Sequence, residues 1–355
     1  MKQLKEEAVE LLIKLIKQPS LSGDEEGTAN VLATYLKQNE IPFDRVKNNI
    51  IVKNRTFQSH KKTVVLNSHH DTVKANESWT FDPFGAKQID GKIVGLGAND
   101  AGASLVSLLA TFLHFYNDEL DYNLVLIMVA EEENFGPNGI KLVLQQIDFP
   151  IDLAIVGEPT QMRMAIAEKG LLVIDGAASG LAGHAARPNG KNAIDIALKD
   201  IQKINEFEFK KTSNVLGPVV KSVTQITAGY QHNVIPDRCD FVIDVRVNEH
   251  YTPTDILETL QGLCQSELKA RRLTNVASSI PIDHQIVQLA MALGIETFGS
   301  PTLSDQVNIP STSLKIGPGN STRSHQADEY IFISEIESGI DIYIKLIANY
   351  IKSSQ

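Results

Sequence analysis

The residues best able to do chemistry are histidines and acids that directly follow apolar runs. His69 and Asp71 lie in the stretch NSHHDTV, immediately after the apolar run TVVL. Side chains at i and i+2 of an extended chain point to the same side. A histidine that binds a metal needs its second ring nitrogen held, often by a carboxylate. The pair therefore suits a metal ligand with its orienting group. The alternative is a hydrogen-bonded loop histidine, and His70 is predicted to point away.

Asp100 lies in the glycine-rich stretch GLGANDAG. This stretch has no third glycine in the register of a dinucleotide-binding loop and no acidic partner at the expected distance. We interpret its glycines as allowing a tight turn that delivers Asp100 into a confined space. The alternative is that Asp100 is the N-cap of the following helix.

Further acids and a histidine complete the set. Three consecutive glutamates, residues 131–133, follow the apolar run LVLIMVA, Glu158 follows LAIV, and His325 lies in GPGNSTRSHQADE. Adjacent carboxylates at the end of a buried strand need a cation or raised pKa values, whereas on a solvated loop they cost little. These residue types suit zinc or a similar ion, and a shared aspartate can bridge two ions. A glutamate left over beside a ligand would be the general base.

The elements that position these residues alternate between strands and helices. Apolar runs at 49–52, 63–66, 124–130 and 154–156, with a helical pattern at 105–112, predict an α/β fold with a largely parallel sheet. Polar residues follow the carboxyl ends of these strands, where open α/β sheets bind ligands.

A second pattern begins after about residue 165. Strands are predicted at 171–177, 219–228, 240–247 and 275–279, and helices at 192–207 and 254–270. The order βαβ–βαβ is ferredoxin-like. We therefore predict a catalytic domain formed by residues 1–164 and 279–355, interrupted by a second domain at 165–278.

Composition narrows the class of protein. The chain has 355 residues and a formal net charge of -10, which argues against binding a phosphate backbone. Two cysteines provide neither a disulfide framework nor a thiolate metal cluster. The first residues read as an amphipathic helix and not a signal peptide, and the longest apolar run is too short to span a bilayer. We expect a cytoplasmic protein without nucleic-acid or membrane partners.

These motifs, in this order, resemble the M20 dinuclear zinc peptidases and deacylases, which include acetylornithine deacetylase, succinyl-diaminopimelate desuccinylase and carboxypeptidase G2. The matching segments are SHHDTV, GLGAND, EEENFG, GEPT and the GPG-to-His325 segment. The resemblance implies a zinc-peptidase catalytic domain, with a mixed, mostly parallel sheet flanked by helices. It also implies that the ferredoxin-like α+β insertion is a lid and dimerisation domain, so that the protein forms a homodimer.

The resemblance also implies a role for each residue of the set. His69 and Glu158 would hold one metal ion, Glu133 and His325 the other, Asp100 would bridge both, Asp71 would orient His69, and Glu132 would be the general base. The family motif is often Asp-Glu-Glu, which places Glu131 at the aspartate position.

In the insertion, three further residues match the family. His184 in GHAARP would steady the oxyanion, in cis or across the dimer, and Asn233 in GYQHNVIP would approach the substrate. Arg246 in FVIDVRV would clamp the substrate carboxylate in a bidentate manner. The alternative for Arg246 is a salt bridge with Asp244.

The implied reaction is hydrolysis of an N-acyl amino acid by two divalent metal ions, zinc first, with cobalt or manganese as alternatives. The first candidate substrate is N-acetylornithine, in arginine biosynthesis, followed closely by N-acetylcitrulline and the N-succinyl forms of ornithine or citrulline. Succinyl-diaminopimelate desuccinylase and M20 dipeptidase are alternatives, and a non-catalytic metal- or amino-acid-binding homologue is a remote one. Leu96 replaces an arginine common in relatives, and Ala101-Gly102-Ala103 replaces Met-Lys-Gly.

Overall fold

The computed structural model describes residues 1–187 and 189–352. The chain divides into two compact units. The first comprises Met1–Ile166, Ile280–Phe298 and Ser304–Gln355, and the second comprises Ala167–Ser279 and Gly299–Leu303. The predicted boundaries fell after residues 164 and 278, and the short return of residues 299–303 to the second unit was not predicted.

Helices in the described residues belong to both units. They are α1 (Lys2–Ile16), α2 (Glu26–Gln38), α3 (Ala103–Phe115), α4 (Ile140–Gln146), α5 (Ala193–Glu206), α6 (Pro253–Leu263), α7 (Gln285–Ala292) and α8 (Ile333–Lys352). Among these described helices, none combines the length and apolar character needed to cross a bilayer.

Strands follow the predicted apolar runs and add shorter edge strands. They are β1 (Asp44–Val46), β2 (Asn49–Lys53), β3 (Thr63–His69), β4 (Lys87–Ile89), β5 (Lys92–Val94), β6 (Asn123–Val129), β7 (Leu153–Val156), β8 (Met164–Glu168), β9 (Gly170–Ser179), β10 (Gly183–His184), β11 (Val220–Ala228), β12 (Val234–Ile235), β13 (Arg238–Val247), β14 (Glu267–Ala270), β15 (Ser278–Ser279), β16 (Thr297–Ser300), β17 (Ser313–Lys315) and β18 (Tyr330–Phe332).

The main sheet of the first unit is mixed. Its strands lie in the order β1-β2-β6-β3-β7-β17-β8. The central strands β6, β3, β7 and β17 are parallel neighbours, whereas β1, β2 and β8 join antiparallel at the two edges. Because the central strands are parallel, their carboxyl ends meet at one edge of the sheet, as α/β ligand sites require.

Both faces of this sheet are covered, which explains why its central strands are apolar throughout. On one face, residues such as Leu66, Leu126 and Ile155 pack against α1, α2, α3, α7 and α8 in the largest core cluster. On the other face, Val65 and Ile127 pack with residues of α4 in a smaller cluster. Side chains of successive strand residues therefore enter opposite cores.

The second unit is a four-stranded antiparallel sheet with two helices. Its strands lie in the order β11-β13-β9-β14. The chain order β9-α5-β11-β13-α6-β14 is the predicted ferredoxin-like pattern. Alternate residues of β13 are buried against α5 and α6, including Phe241, Ile243 and Val245.

Two element predictions in this unit were wrong. Helix α6 ends at Leu263 and does not continue to residue 270, because residues 267–270 form strand β14 beside β9. The last strand of the ferredoxin-like sheet is therefore β14. The segment predicted at 275–279 contributes only the two-residue strand β15, which pairs with β8.

Candidate active site

The predicted site residues of the first unit come from the carboxyl ends of its parallel strands. His69 ends β3, Glu132 and Glu133 follow β6, and Glu158 follows β7. The loop after β17 carries His325. The four strands are neighbours in the sheet, so residues far apart in sequence converge at one edge.

His69 is held as a buried ring with both nitrogens engaged. Its Nδ1 lies 3.0 Å from the backbone oxygen of Asp71 and 3.4 Å from a carboxylate oxygen of the same residue. Its Nε2 faces Asp100 at 3.4 Å and Glu158 at 3.8 Å. A ring held at Nδ1 presents Nε2 as the ligand atom. His70 points elsewhere, toward Thr28 and the backbone of Asn48.

Asp100 lies between the two histidines. One of its oxygens is 3.4 Å from His69 Nε2, and the other is 3.7 Å from His325 Nε2. No side-chain cap is formed at the start of α3, whose N-cap position is Gly102. Within the described residues, the N-cap interpretation of Asp100 is therefore wrong. A carboxylate whose two oxygens face different imidazoles has the arrangement of a bridging ligand.

The turn that presents Asp100 depends on glycine. Gly97 has a φ of 74°, in the left-handed region. A Cβ at this position would lie 2.6 Å from Thr72 Cγ2. Only glycine avoids both the backbone penalty and this collision. The interpretation of the glycine-rich stretch as a tight turn is consistent with this conformation.

The three consecutive glutamates have different environments. The carboxylate of Glu131 accepts hydrogen bonds from Asn138, 2.9 Å from its backbone N–H and 2.6 Å from its side-chain amide. In contrast, Glu132 Oε2 lies 4.0 Å from His69 Nε2, and Glu133 accepts hydrogen bonds from His325 Nε2 at 3.0 and 3.1 Å. The first glutamate thus faces its own turn, and the next two face the histidines.

The backbone of this acidic turn is held by other carboxylates. Asp71 accepts the N–H groups of Glu132 and Glu133, each at 3.1 Å, and the hydroxyl of Ser22 at 2.7 Å. Glu25 accepts the N–H of Glu131 at 3.2 Å. These charge-assisted hydrogen bonds fix the direction in which the glutamate side chains leave the strand.

Burial and hydrogen bonding shift the pKa values of the site residues. Burial raises the pKa of Glu132 well above its ordinary value, and burial beside Asp100 raises that of Glu158 to about 8. Burial disfavours the charged form of His69, but hydrogen bonds with Asp100 and Asp71 outweigh this and raise its pKa. The hydrogen bond with Glu133 raises the pKa of His325 to about 9.

The donor atoms therefore fit divalent cations. Ligand atoms of His69, Glu132 and Glu158 lie within 4.8 Å of one another, as do those of His69, Asp100 and Glu133. Imidazole nitrogens and carboxylate oxygens are ligands that zinc accepts. Positive charge at this position would favour the ionised form of glutamates whose pKa values are raised by burial and, to a smaller extent, by neighbouring acids.

The predicted residues of the second unit occupy two places in it. His184 of β10 pairs with Val234 of β12, and the N–H of Ala185 donates to Asn233 at 3.0 Å, so His184 and Asn233 share a small ribbon. The buried Oδ1 of Asn233 has no hydrogen-bond partner among the described residues. Pro188 of the same motif lies outside the described residues.

Arg246 forms the salt bridge with Asp244 that was the alternative to its predicted role in substrate binding. On β13 its guanidinium donates to Asp244 through Nε at 2.8 Å and Nη2 at 3.0 Å, a bidentate pair. Both side chains are about one-third exposed. The role of Arg246 in binding a substrate carboxylate stays a prediction.

Sequence reasoning missed the residues that support the ligands. Ser22 and Glu25 hold the acidic turn. Asn99 and Glu329 hold the Asp100 turn, the latter by accepting the N–H of Asp100 at 2.9 Å. Glu329 is buried, and burial beside Asp100 raises its pKa to about 8. Glu25 directly precedes α2, and Glu329 lies four residues after His325. Neither position has a distinctive local sequence pattern.

Comparison with known proteins identifies the family. Residues 65–349 match Peptidase family M20/M25/M40. The chain belongs to this family. It is therefore a hydrolase that acts on amides, and its histidine and carboxylate groups are the candidate metal ligands of an M20 enzyme.

Among curated relatives of this M20 chain, the similarity extends over nearly the whole length. A peptidase M20 domain-containing protein of Schizosaccharomyces pombe is 29% identical, covering 94% of this chain and 82% of the relative. Acetylornithine deacetylase of Proteus mirabilis is 27% identical, covering 96% of each. Succinyl-diaminopimelate desuccinylase of Dinoroseobacter shibae is 25% identical, covering 96% and 98%.

Solved structures of M20 proteins share the fold. The M20 family metallo-carboxypeptidase Sso-CP2 from Sulfolobus solfataricus has a TM-score of 0.78 at 18% identity, covering 97% of this chain and 99% of its own. The YXEP protein of Bacillus subtilis, a dinuclear metal-binding peptidase of the family, has a TM-score of 0.72 at 16% identity, covering 99% of both. At these identities the likeness supports the mixed α/β fold alone.

Proposed function

We propose that this M20 chain hydrolyses the amide bond of an N-acyl amino acid, with N-acetylornithine as the first substrate to test. The observation that carries the proposal is the position of Asp100 between His69 and His325, with the buried Glu132 beside them. The relative named acetylornithine deacetylase supports the choice of substrate. N-acetylcitrulline and the N-succinyl forms of ornithine and citrulline are the alternatives within this class.

The proposed metal site uses the predicted ligands. His69 and Glu158 would hold one divalent ion, Glu133 and His325 would hold the second, and Asp100 would bridge the two. Zinc is the first choice, with cobalt or manganese as alternatives, because all three accept imidazole and carboxylate ligands. When bound, such ions polarise the acyl carbonyl and lower the pKa of a water molecule.

Glu132 is the proposed general base. Its carboxylate points toward His69, unlike that of Glu131, which is occupied by Asn138. Burial raises the pKa of this carboxylate, which makes it a stronger base toward water than a solvated glutamate. The resulting hydroxide forms a bond to the acyl carbon, and Glu132 delivers the proton to the amine nitrogen as the C–N bond breaks. The amide and one water molecule thus give the acid and the free amine.

The second unit supplies the proposed substrate contacts. His184 donates a hydrogen bond to the developing oxyanion, a contact worth about 3 kcal/mol in comparable sites. Asn233 approaches the substrate through the amide whose Oδ1 has no partner within the described residues. Arg246 binds the α-carboxylate of the substrate. Its partner Asp244 orients the guanidinium.

The proposed assembly follows from the family resemblance. We propose that the second unit acts as the lid and mediates a homodimer. A role in arginine biosynthesis stays a prediction from the resemblance, and cytoplasmic location stays a prediction from the sequence.

Desuccinylation of succinyl-diaminopimelate is the second candidate. The desuccinylase of Dinoroseobacter shibae is nearly as similar to this chain as the deacetylase of Proteus mirabilis. An M20 dipeptidase activity is a further alternative. A non-catalytic homologue is disfavoured by the presence of Glu132, His184 and the ligand set.

Amine release from a substrate panel tests the proposal. The panel contains N-acetylornithine, N-acetylcitrulline, their N-succinyl equivalents, succinyl-diaminopimelate and several dipeptides, with zinc or cobalt added. Cleavage of an acyl-ornithine or acyl-citrulline that is abolished by a chelator supports the proposal. Cleavage of only succinyl-diaminopimelate, or only of dipeptides, selects the corresponding alternative.

A further inference from the structure

Two loops of the first unit carry two of the proposed metal ligands. The aspartate turn, residues 97–100, carries Asp100. The histidine loop, residues 320–329, carries His325. The facing ligand atoms, Asp100 Oδ2 and His325 Nε2, are 3.7 Å apart. Because the two loops are more than two hundred residues apart in sequence, something other than chain continuity has to set this distance.

Glu329 binds the aspartate turn from the end of the histidine loop. Its carboxylate Oε1 accepts the backbone N–H groups of Asn99 at 2.8 Å and Asp100 at 2.9 Å. Its own backbone oxygen accepts the N–H of Gly95 at 2.9 Å. The side chain is buried, with 2% of the residue exposed. A buried carboxylate that accepts two successive N–H groups fixes the peptide plane from which the Asp100 side chain leaves.

Asn99 makes the reverse connection. Its Oδ1 accepts the backbone N–H of Asn320 at 2.9 Å, and its Nδ2 donates to the backbone oxygen of Asn320 at 3.1 Å and to Ser324 Oγ at 3.3 Å. Asn99 is completely buried. A side chain of each loop thus hydrogen-bonds to the backbone of the other loop. These reciprocal hydrogen bonds hold the two loops in a fixed relative position.

We propose that Glu329 and Asn99 form a reciprocal latch that sets the position of Asp100 relative to His325 and thereby the affinity for the metal pair. The proposal rests on the metal site proposed above. Both are positioning residues, since they act through the backbone of a ligand or its loop. Residues that orient metal ligands typically change metal affinity about 10- to 100-fold when removed.

The neighbouring acid provides a matched control. Asp328 directs its carboxylate to a different segment, where it accepts the N–H of Thr80 at 2.9 Å, the hydroxyl of Thr80 at 2.6 Å and the N–H of Phe81 at 3.1 Å. Asp328 therefore belongs to the same loop as Glu329 and is also an acid, yet it makes none of the contacts described for the latch.

The test is metal titration of the full chain after removal of metal with a chelator. Cobalt(II) absorption and zinc calorimetry would report affinity without any substrate. The variants are Glu329→Ala, Glu329→Gln, Asn99→Ala, the double variant Asn99→Ala/Glu329→Ala, and Asp328→Asn. We expect Glu329→Ala and Asn99→Ala each to weaken metal binding about tenfold or more. Glu329→Gln should recover most of this loss, because its Oε1 can still accept both N–H groups.

The double variant separates a latch from two independent contacts. If the two residues act together, the double variant should lose about as much metal affinity as either single variant. Two independent contacts would instead give a fold-loss equal to the product of the two single losses. Asp328→Asn should bind metal like the wild type. Should Glu329→Ala fail to fold, the metal affinity of Asn99→Ala compared with that of Asp328→Asn tests the proposal.

Three results would overturn the latch. They are wild-type affinity in both Glu329→Ala and Asn99→Ala, a loss in Asp328→Asn as large as in Glu329→Ala, and fully multiplicative losses in the double variant. A wild-type chain that binds two ions but cleaves no member of the substrate panel would instead contradict the proposed function and leave the latch standing.

Discussion

The carboxylate of Asp71 accepts a hydrogen bond of 3.1 Å from the backbone N–H of Glu132. The same carboxylate lies 3.4 Å from Nδ1 of His69. One buried acid thus connects a proposed metal ligand to the proposed general base. Burial opposes the ionisation of Asp71, but hydrogen bonds from His69 and Ser22 outweigh it and lower its pKa to about 2. The group therefore stays an acceptor throughout the physiological pH range.

The first prediction concerns this connection. In Asp71→Asn, one carboxylate oxygen becomes an amide N–H₂, which cannot accept the N–H of Glu132 or Glu133. We expect metal affinity and turnover to fall about 10- to 100-fold. Asp44→Asn, which changes an exposed acid of β1, is the control and should behave as the wild type. Unaltered metal affinity and turnover in Asp71→Asn would show that the contact is dispensable.

The second prediction concerns metal stoichiometry. We expect His325→Ala to lose one of two ions per chain and Asp100→Ala to weaken the binding of both, since the two carboxylate oxygens of Asp100 face different histidines. The loss of affinity should exceed the roughly 100-fold effect of an orienting residue. The number of ions bound per chain is measured as metal content after dialysis against solutions of buffered metal concentration.

A neighbouring histidine serves as the control for stoichiometry. His70→Gln alters a ring that contacts Thr28 and the backbone of Asn48, so it should retain two ions. Two ions retained in Asp100→Ala, with unchanged affinity, would refute the bridging assignment.

The third prediction uses two glycines with nearly the same φ. Gly97 has a φ of 74° and Gly91 a φ of 72°, but a Cβ at Gly91 meets nothing within 4 Å. Alanine at either position should cost about 1–2 kcal/mol for the left-handed backbone. In Gly97→Ala the free energy of unfolding should fall by about 1–3 kcal/mol more, because the added Cβ collides with Thr72. Urea denaturation measures the difference, and equal losses would contradict the confined turn.

The parts of this fold that the sequence predicted are those with local signals. Apolar runs located the central strands, and polar residues after them located the site edge, because parallel strands place their carboxyl ends together. His69 and Asp100 were accessible to this reasoning, since one follows such a run and the other lies in a glycine-rich turn.

The features that were predicted wrongly or missed depend on tertiary contacts. Helix α6 ends at Leu263 partly because the N–H groups of Gln265 and Ser266 donate to Asp200, at 3.0 and 2.7 Å, and leave the helical ladder. Asp200 is more than sixty residues away in sequence. The supporting roles of Glu25 and Glu329 were missed for the same reason, because their partners are backbone groups of distant turns.

The fourth prediction concerns pH. Burial disfavours the charged form of Asp200, but hydrogen bonds from Ser266 and Gln265 outweigh this and lower its pKa. The folded pKa is below the unfolded value of about 3.9. Its stabilisation is therefore complete above that value and is lost as the pH falls through the folded pKa.

Accordingly, Asp200→Ala should lower the free energy of unfolding by about 1–3 kcal/mol at pH 7. The difference in free energy of unfolding between Asp200→Ala and the wild type should become smaller in urea denaturation carried out below about pH 4. Glu258→Gln on the exposed face of α6 is the control and should show little change. If the difference in free energy of unfolding between Asp200→Ala and the wild type stays constant from pH 7 to pH 3, the role assigned to the Asp200 carboxylate is contradicted.

The most direct test of the account is turnover and metal content measured on the same samples of wild type, Glu132→Gln and Glu131→Gln. The wild type should release amine from an N-acyl amino acid and bind two metal ions. Glu132→Gln should keep both ions and lose turnover by about 10²- to 10⁴-fold, the usual contribution of a general acid–base. Glu131→Gln should keep most turnover, because its carboxylate faces Asn138 and not the histidines. Wild-type turnover in Glu132→Gln, or its loss only in Glu131→Gln, would contradict the assignment of the base.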